Sequence, residues 1–262
     1  MAKKRSTATR RADSQAAAAR AAAIRREQER KERRRRSLVV SAVVVVVLVL
    51  IGAIAYGVQS ARDSSTGSAG SGTTPSGTVG RYGVPAGSSS APVKAVIYED
   101  FICPYCGAFE SAGRATLQKD IDRGKLQIQY HVLNFLDRSS STKYSTRAAN
   151  ALGVVLDSSG PKVAKKFHDL LFENQPQEGS AGLTDSQLVD YAVQAGAKRS
   201  EVESPIKDGK FNDWVVKGTD AASKAHVTGT PTVRINGKTL PVNSAQDLVV
   251  QIQKVVDAGG NQ

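Results

Sequence analysis

Two cysteines, and only two, occur in these 262 residues. They stand as Cys103-Pro104-Tyr105-Cys106, where a strand-like run meets a helix-like one. Val93-Lys94-Ala95-Val96-Ile97-Tyr98 is apolar and β-rich, as a buried strand should be. From Cys106 to Ile121, Phe109, Ala112, Leu117 and Ile121 fall on one side of a helix. A C-x-x-C pair at such a junction is a redox arrangement. Unpaired N–H groups and partial positive charge at a helix start favour a thiolate, so Cys103 is expected to have a depressed pKa. Pro104 suits the first turn, where its missing N–H would have been unpaired anyway. Cys106, one turn on, is close enough to resolve a mixed disulfide.

Other readings of the pair are weaker. A zinc site needs two more ligands at metal-like spacing, and the chain has no second Cys or His pair to provide them. A structural disulfide here would close almost no loop and remove little unfolded-state entropy. No metal and no cofactor is called for.

Charge is distributed unevenly. Residues 1–37 carry fourteen Lys and Arg against four Asp and Glu, which is ten of the twelve net positive charges. The rest is near neutral, so the high pI describes a tail and gives no reason to propose a nucleic-acid enzyme. Residues 38–58 are an uncharged apolar run centred on Val43–Val47, long enough to cross a bilayer as a helix of about 20 residues. The Arg33–Arg36 run on its N-terminal flank places that end in the cytoplasm. A cleaved signal peptide would have a shorter apolar core and a small-residue cleavage site. The expectation is therefore a single-pass membrane protein with its main domain extracytoplasmic. Residues 59–92 are Ser, Gly, Thr, Ala and Pro with hardly an apolar anchor, the composition of a flexible tether. Tyr82 and Val84 could dock on the domain edge.

A folded domain is expected over 93–258. Lys125–Leu136 alternates, with Leu126, Ile128, Tyr130 and Val132 on one face, and reads as a strand parallel to the first. From about 142 to 227 the signals are helical: apolar-periodic stretches at Ala148–Leu156 and Val163–Phe172, a capping box at Thr184-Asp185-Ser186-Gln187, a start at Ser200, and a face of Phe211, Trp214, Val215, Gly218 and Ala222. Thr232–Ile235 and Thr239–Val242 flank Asn236-Gly237, a hairpin signal, and Ser244 caps a last helix. The order βαβ, helical block, ββα is an α/β thioredoxin fold with a helical insertion between its halves.

With these elements placed, the domain resembles the DsbA family of extracytoplasmic thiol–disulfide oxidoreductases. The resemblance is carried by Asp100-Phe101-x-Cys103-Pro104-Tyr105-Cys106, by Val227-Thr228-Gly229-Thr230-Pro231-Thr232 and by Ile235-Asn236-Gly237. It implies a cis peptide bond at Thr230–Pro231 facing the cysteines, with the Thr230 backbone presented to a substrate strand. It implies reduced or misoxidised exported proteins as substrates and a quinone-linked membrane partner that resets the pair. Two departures stand out. Many members carry a buried acid, which helps move protons at the second cysteine, where this chain has Ile97; Glu99, Asp100 or water could take that role. Tyr105 stands where the strongest oxidants have a histidine, and offers the thiolate no positive charge.

The histidines are expected to matter little: His131 on a solvated or helix-covered strand face, His168 exposed on a Lys-rich helix, and His226 a few residues before Pro231, within reach of the site. Two function classes follow. One is an enzyme that oxidises, or rearranges or reduces, cysteines of exported proteins. The other is a tethered chaperone-like module that binds peptides. A chain whose only cysteines lie in the motif avoids mispairing in an oxidising compartment, which favours the enzyme.

Overall fold

The computed structural model describes residues 73–260. The basic tail 1–37, the apolar run 38–58 and residues 59–72 of the expected tether lie outside them. Among the described residues no helix is long and apolar enough to cross a membrane.

Strands β1 (Val84–Ala86), β2 (Val93–Glu99), β3 (Leu126–Val132), β4 (Thr232–Ile235) and β5 (Lys238–Thr239) form one sheet in the order β1-β3-β2-β4-β5. The central pair β2 and β3 is parallel, and its crossover is helix α1 (Pro104–Asp122). β4 returns antiparallel on the free side of β2. Between β3 and β4 come α2 (Tyr144–Glu173), α3 (Asp185–Ala195), α4 (Arg199–Lys207) and α5 (Asn212–Lys224), and α6 (Ala245–Asp257) closes the fold. This is the expected thioredoxin arrangement with its insertion.

Local chemistry explains the element ends. Thr184 and Gln187 form a reciprocal capping box at the start of α3, and Gly196 ends it in the left-handed region at φ 119°. In α2, Gly160 (φ 79°, ψ 176°) and Pro161 break the helical path, so the two apolar stretches read in the sequence are two helical segments meeting at a kink. Asn236 and Gly237 both have positive φ, as a type I′ hairpin requires. The second strand of that hairpin is shorter than expected. It ends at Thr239, and Val242 is exposed, since the following chain leaves the sheet for the Ser244 cap.

The start of the folded unit also differs. Residues assigned by composition to the tether are built into the domain: β1 pairs antiparallel with β3, and the Trp214 indole N–H donates to the Arg81 carbonyl at 2.8 Å. Tyr82 packs against Gly218, where a Cβ would be tight. A few anchors suffice here because backbone pairing on an open sheet edge needs no long apolar run.

The two faces of β2 serve different cores. Val93, Ala95 and Ile97 face the main core with Phe109 and Leu117 of α1 and Leu248 and Ile252 of α6. Tyr98 faces a smaller cluster with Leu133, Ala222 and Val227. Trp214 and Phe211 are core residues, as read from the sequence. At the C-terminal end of β2 the main-core row ends in a carboxylate, Glu99.

Candidate active site

The chain leaves β2 through Asp100 and Phe101 and enters α1 with Cys103 as its N-cap and Pro104 in its first turn. Asp100, fully buried, fixes this corner. Its Oδ1 accepts from the Ile102 N–H at 3.1 Å and from the Ser145 hydroxyl at 2.6 Å, and its Oδ2 from the Leu136 N–H at 2.9 Å. Burial pushes its carboxyl up to about 6 against those three donors. From the far end of α2, the Gln175 amide donates to the Cys103 carbonyl at 2.9 Å and the Phe101 carbonyl at 3.2 Å. Sequence reasoning missed Gln175, since a lone glutamine after a helix carries no signal.

Opposite this corner the Thr230–Pro231 peptide bond is cis. The Cys103 thiol donates to the Thr230 carbonyl at 3.4 Å. Both cysteines are unbridged. Cys103 is less open than a free nucleophile would be, at 4% exposure against 0% for Cys106, because the Thr230 backbone lies over it. Their chemistry is strongly unequal. A hydrogen bond from Cys106, opposed by burial and helped by the Thr230 side chain and the N–H groups of Cys106 and Tyr105, lowers the Cys103 thiol to about 6. Burial, reinforced by the hydrogen bond and charge of Cys103 and the charge of Glu99, drives the Cys106 thiol well above its ordinary value. One sulfur is a ready thiolate at neutral pH and its neighbour is a held thiol. Tyr105 is 76% exposed and borders a groove of about 660 Å³ lined also by Ala108, Gly229, Pro231, Val242 and Leu248.

A family model described as Thioredoxin matches residues 81–257, more than half of the chain. The DsbA-type motifs sit within that span. The chain belongs to the DsbA-like thioredoxin family. Reduced DsbA from Mycobacterium tuberculosis superposes with a TM-score of 0.58 at 29% identity, covering 68% of this chain and 97% of that one. Disulfide bond formation protein D of Bacillus subtilis is 27% identical over 156 residues, 59% of this chain and 68% of that protein. The serine/threonine-protein kinase PknE of Mycobacterium tuberculosis is 36% identical over 159 residues, 58% of this chain but 28% of the kinase. The chain thus spans under a third of that relative.

Within this DsbA-like domain, Asp100, Cys103, Pro104, Tyr105, Cys106, Thr230 and Pro231 gather at one end of the sheet. Ile97 is fully buried and apolar, so it can hold no proton. Glu99, the candidate substitute, does not stand alone. His168, expected on the surface, is 1% exposed, and its Nε2 lies 2.5 Å from Glu99 Oε1. The reason is the kink: α2 turns at Gly160 and lays Ala164, Phe167, His168 and Leu171 into the core. Burial alone would lower the imidazole, but the Glu99 charge and hydrogen bonds to Asp169 and Glu99 raise it to about 9, so it is a cation. Glu110 joins them, with one potential ligand atom of each group within 4.8 Å of the others. These are not arranged as metal ligands. Two donors sharing a tetrahedral ion would be separated by ~3.3 Å, and the His168–Glu99 contact is a hydrogen bond. His131 is half-buried and pushed down to about 4 by burial, and His226 is exposed at the end of α5. Neither joins the cysteines.

Proposed function

We propose that the chain is a membrane-tethered, extracytoplasmic thiol–disulfide oxidoreductase that oxidises cysteine pairs of exported proteins. The inequality of the two thiols carries this reading. In the oxidised protein, a substrate thiolate attacks Cys103 Sγ. The Cys103–Cys106 bond breaks, a Cys103–substrate bond forms, and Cys106 leaves with the electron pair and takes a proton. A second substrate thiolate then attacks the first substrate sulfur. The substrate disulfide forms, and Cys103 leaves as the thiolate its lowered pKa favours. The substrate is oxidised by two electrons and the pair is reduced.

The groove beside Tyr105 and Pro231 suits an extended peptide with apolar side chains, and the Thr230 backbone beside Cys103 suits its main chain. The anchor at 38–58 and its basic flank support the tethered, outward placement. Resetting the pair needs an electron acceptor, and a quinone-linked membrane protein is the class this family resemblance offers. One observation favours a second reading, as isomerase or reductase: Tyr105 brings no positive charge to the thiolate, so the pair is a milder oxidant than one with histidine there.

The test is trapping. Cys106→Ala should accumulate mixed disulfides, because its Cys103 thiolate attacks a disulfide of a misoxidised substrate protein and one substrate sulfur leaves as a thiolate. No Cys106 thiol remains to resolve the product. Cys103→Ala should not accumulate them. Equal trapping by both variants would contradict the assignment and leave the peptide-holding module as the better reading.

A further inference from the structure

A second hollow lies where the later turns of α1, the end of β1 and α2 beyond its kink come together. It holds about 790 Å³, within the ~300–1,000 Å³ usual for small-molecule sites. Its walls are apolar where the elements meet: Pro85 and Ala86 of β1, Ala115 and Ile121 of α1, and Pro161 at the kink of α2. Neither cysteine lines it, nor does Tyr105 or Pro231, so it is separate from the groove at the redox corner.

The rim is cationic. Lys162, Lys165, Lys166 and Asp169 follow i, i+3, i+4, i+7 spacing and share one face of α2, opposite the buried stripe of Ala164, Phe167, His168 and Leu171. Arg114 joins them from α1. Two of these cations are already matched. Lys165 Nζ stands 2.6 Å from Asp169 Oδ1, and Arg114 is paired with Glu173. Arg114 still keeps its buried Nε–H without a hydrogen-bond partner, Asp169 Oδ1 standing 3.7 Å from it. Lys162 and Lys166 are exposed, and among the described residues neither has a carboxylate within salt-bridge distance. Asp122, on the α1 side, accepts from the Gln118 amide at 2.8 Å. Arg114, Lys162, Lys165 and Lys166 thus stand against Asp122, Asp169 and Glu173, which leaves the rim with one positive charge in excess.

We propose that this hollow binds a long-chain carboxylate, its aliphatic chain against Pro85, Ala115 and Ile121 and its head between Lys162 and Lys166. A row of lysines on a helix is ordinarily no more than a solvated face. Here the row borders an apolar cavity, and a lysine stem lies along such a wall with its ammonium at the mouth. Apolar walls and one excess positive charge complement an aliphatic body with a single negative head. A phosphate dianion would overshoot that excess beside Asp122 and Asp169. Each free lysine gives the head a charge-assisted hydrogen bond, and removal of the chain from water supplies the rest of the affinity. No step at Cys103 enters this inference, so it stands or falls apart from the redox reading.

The experiment uses the full chain in phosphatidylcholine nanodiscs and a dodecanoate that carries a photoreactive diazirine on its chain. Illumination should attach the probe to the peptides holding residues 85–88 and 114–122, as read by mass spectrometry. Excess dodecanoate should abolish that labelling. Dodecanol, the same chain without the charge, should not. Lys162→Gln combined with Lys166→Gln should cut labelling roughly tenfold, for the loss of two charge-assisted contacts. Ala115→Asp, which sets a carboxylate on the apolar wall, should do the same. All three positions are exposed, so these variants keep the fold. Absence of labelling at the two peptides would overturn the proposal. So would equal displacement by dodecanol, or a double lysine variant labelled as strongly as the wild type. Labelling there by a photoreactive phosphatidylglycerol alone would give the site to a lipid headgroup and overturn the carboxylate.

Discussion

Gln175 Nε2 donates to the Cys103 carbonyl at 2.9 Å across 72 residues of sequence, tying the end of α2 to the first turn of α1. The same amide holds the Phe101 carbonyl. Gly107 lies against this side chain so closely that a Cβ there would collide with the Gln175 amide. Gln175→Ala should therefore cost about 1–2 kcal/mol of stability for the lost bonds to buried carbonyls. Gly107→Ala should displace Gln175 and produce a similar loss. The double variant should be little worse than either single one, because both remove the same contact. Urea unfolding of the three proteins checks this, and additive losses would contradict it.

Cys103 should alkylate with a half-point near pH 6 in the reduced protein. Its largest support is the hydrogen bond from Cys106, so Cys106→Ala should move that half-point upward. Alkylation rates measured against pH give both values. An unmoved half-point would mean that the helix start and Thr230 suffice alone.

The buried His168–Glu99 pair makes stability depend on alkaline pH. The folded imidazole is raised from 6.5 to about 9. A raised pKa means that the folded state binds the proton more tightly, so the stabilisation is fully present below about 6.5. It is lost as pH climbs through 9. His168→Gln should destabilise the protein by about 3–5 kcal/mol at pH 6, because it strips a buried carboxylate of its partner. The difference from wild type should narrow above pH 9. Denaturant unfolding at pH 6, 8 and 10 checks the sign, and a difference that widens with pH would refute it.

Topology is open to a direct test. On the proposed topology, in which the fourteen basic residues before Leu38 would keep the N-terminus inside, protease added to intact spheroplasts should degrade the folded domain, β1 included. Protection until the membrane is broken would reverse the assigned orientation.

The redox corner was legible because its chemistry is local. C-P-Y-C at a strand–helix junction, the Gly229-Thr230-Pro231 turn and the Asn236-Gly237 hairpin each carry a signal within a few residues. The buried group of Glu99, Glu110 and His168 was not, because its members come from β2, α1 and α2. A trace of it was present. Ala164, Phe167, His168, Leu171 and Phe172 follow the i, i+3, i+4, i+7, i+8 spacing of a buried stripe, with histidine inside it. The neighbouring lysines at 162, 165 and 166 give that segment the composition of a solvated face. Glu99 likewise sits in the buried phase of an apolar strand, where a charge is expected to have a partner. The boundary at 92 failed for another reason. β1 is three residues long and held by backbone pairing with β3, which composition does not record.

The proposed function requires the Cys103–Cys106 couple to act as an oxidant of moderate strength. Its lowered Cys103 pKa stabilises the reduced form, which makes the disulfide oxidising, while Tyr105 withholds the extra help of a histidine. Redox titration of the purified domain against glutathione should give a potential between about −120 and −230 mV, with oxidation of a reduced multi-cysteine substrate faster than reduction of its disulfides. A value near thioredoxin's, about −270 mV, with reduction the faster direction, would contradict the oxidase and leave a reductase or isomerase in its place.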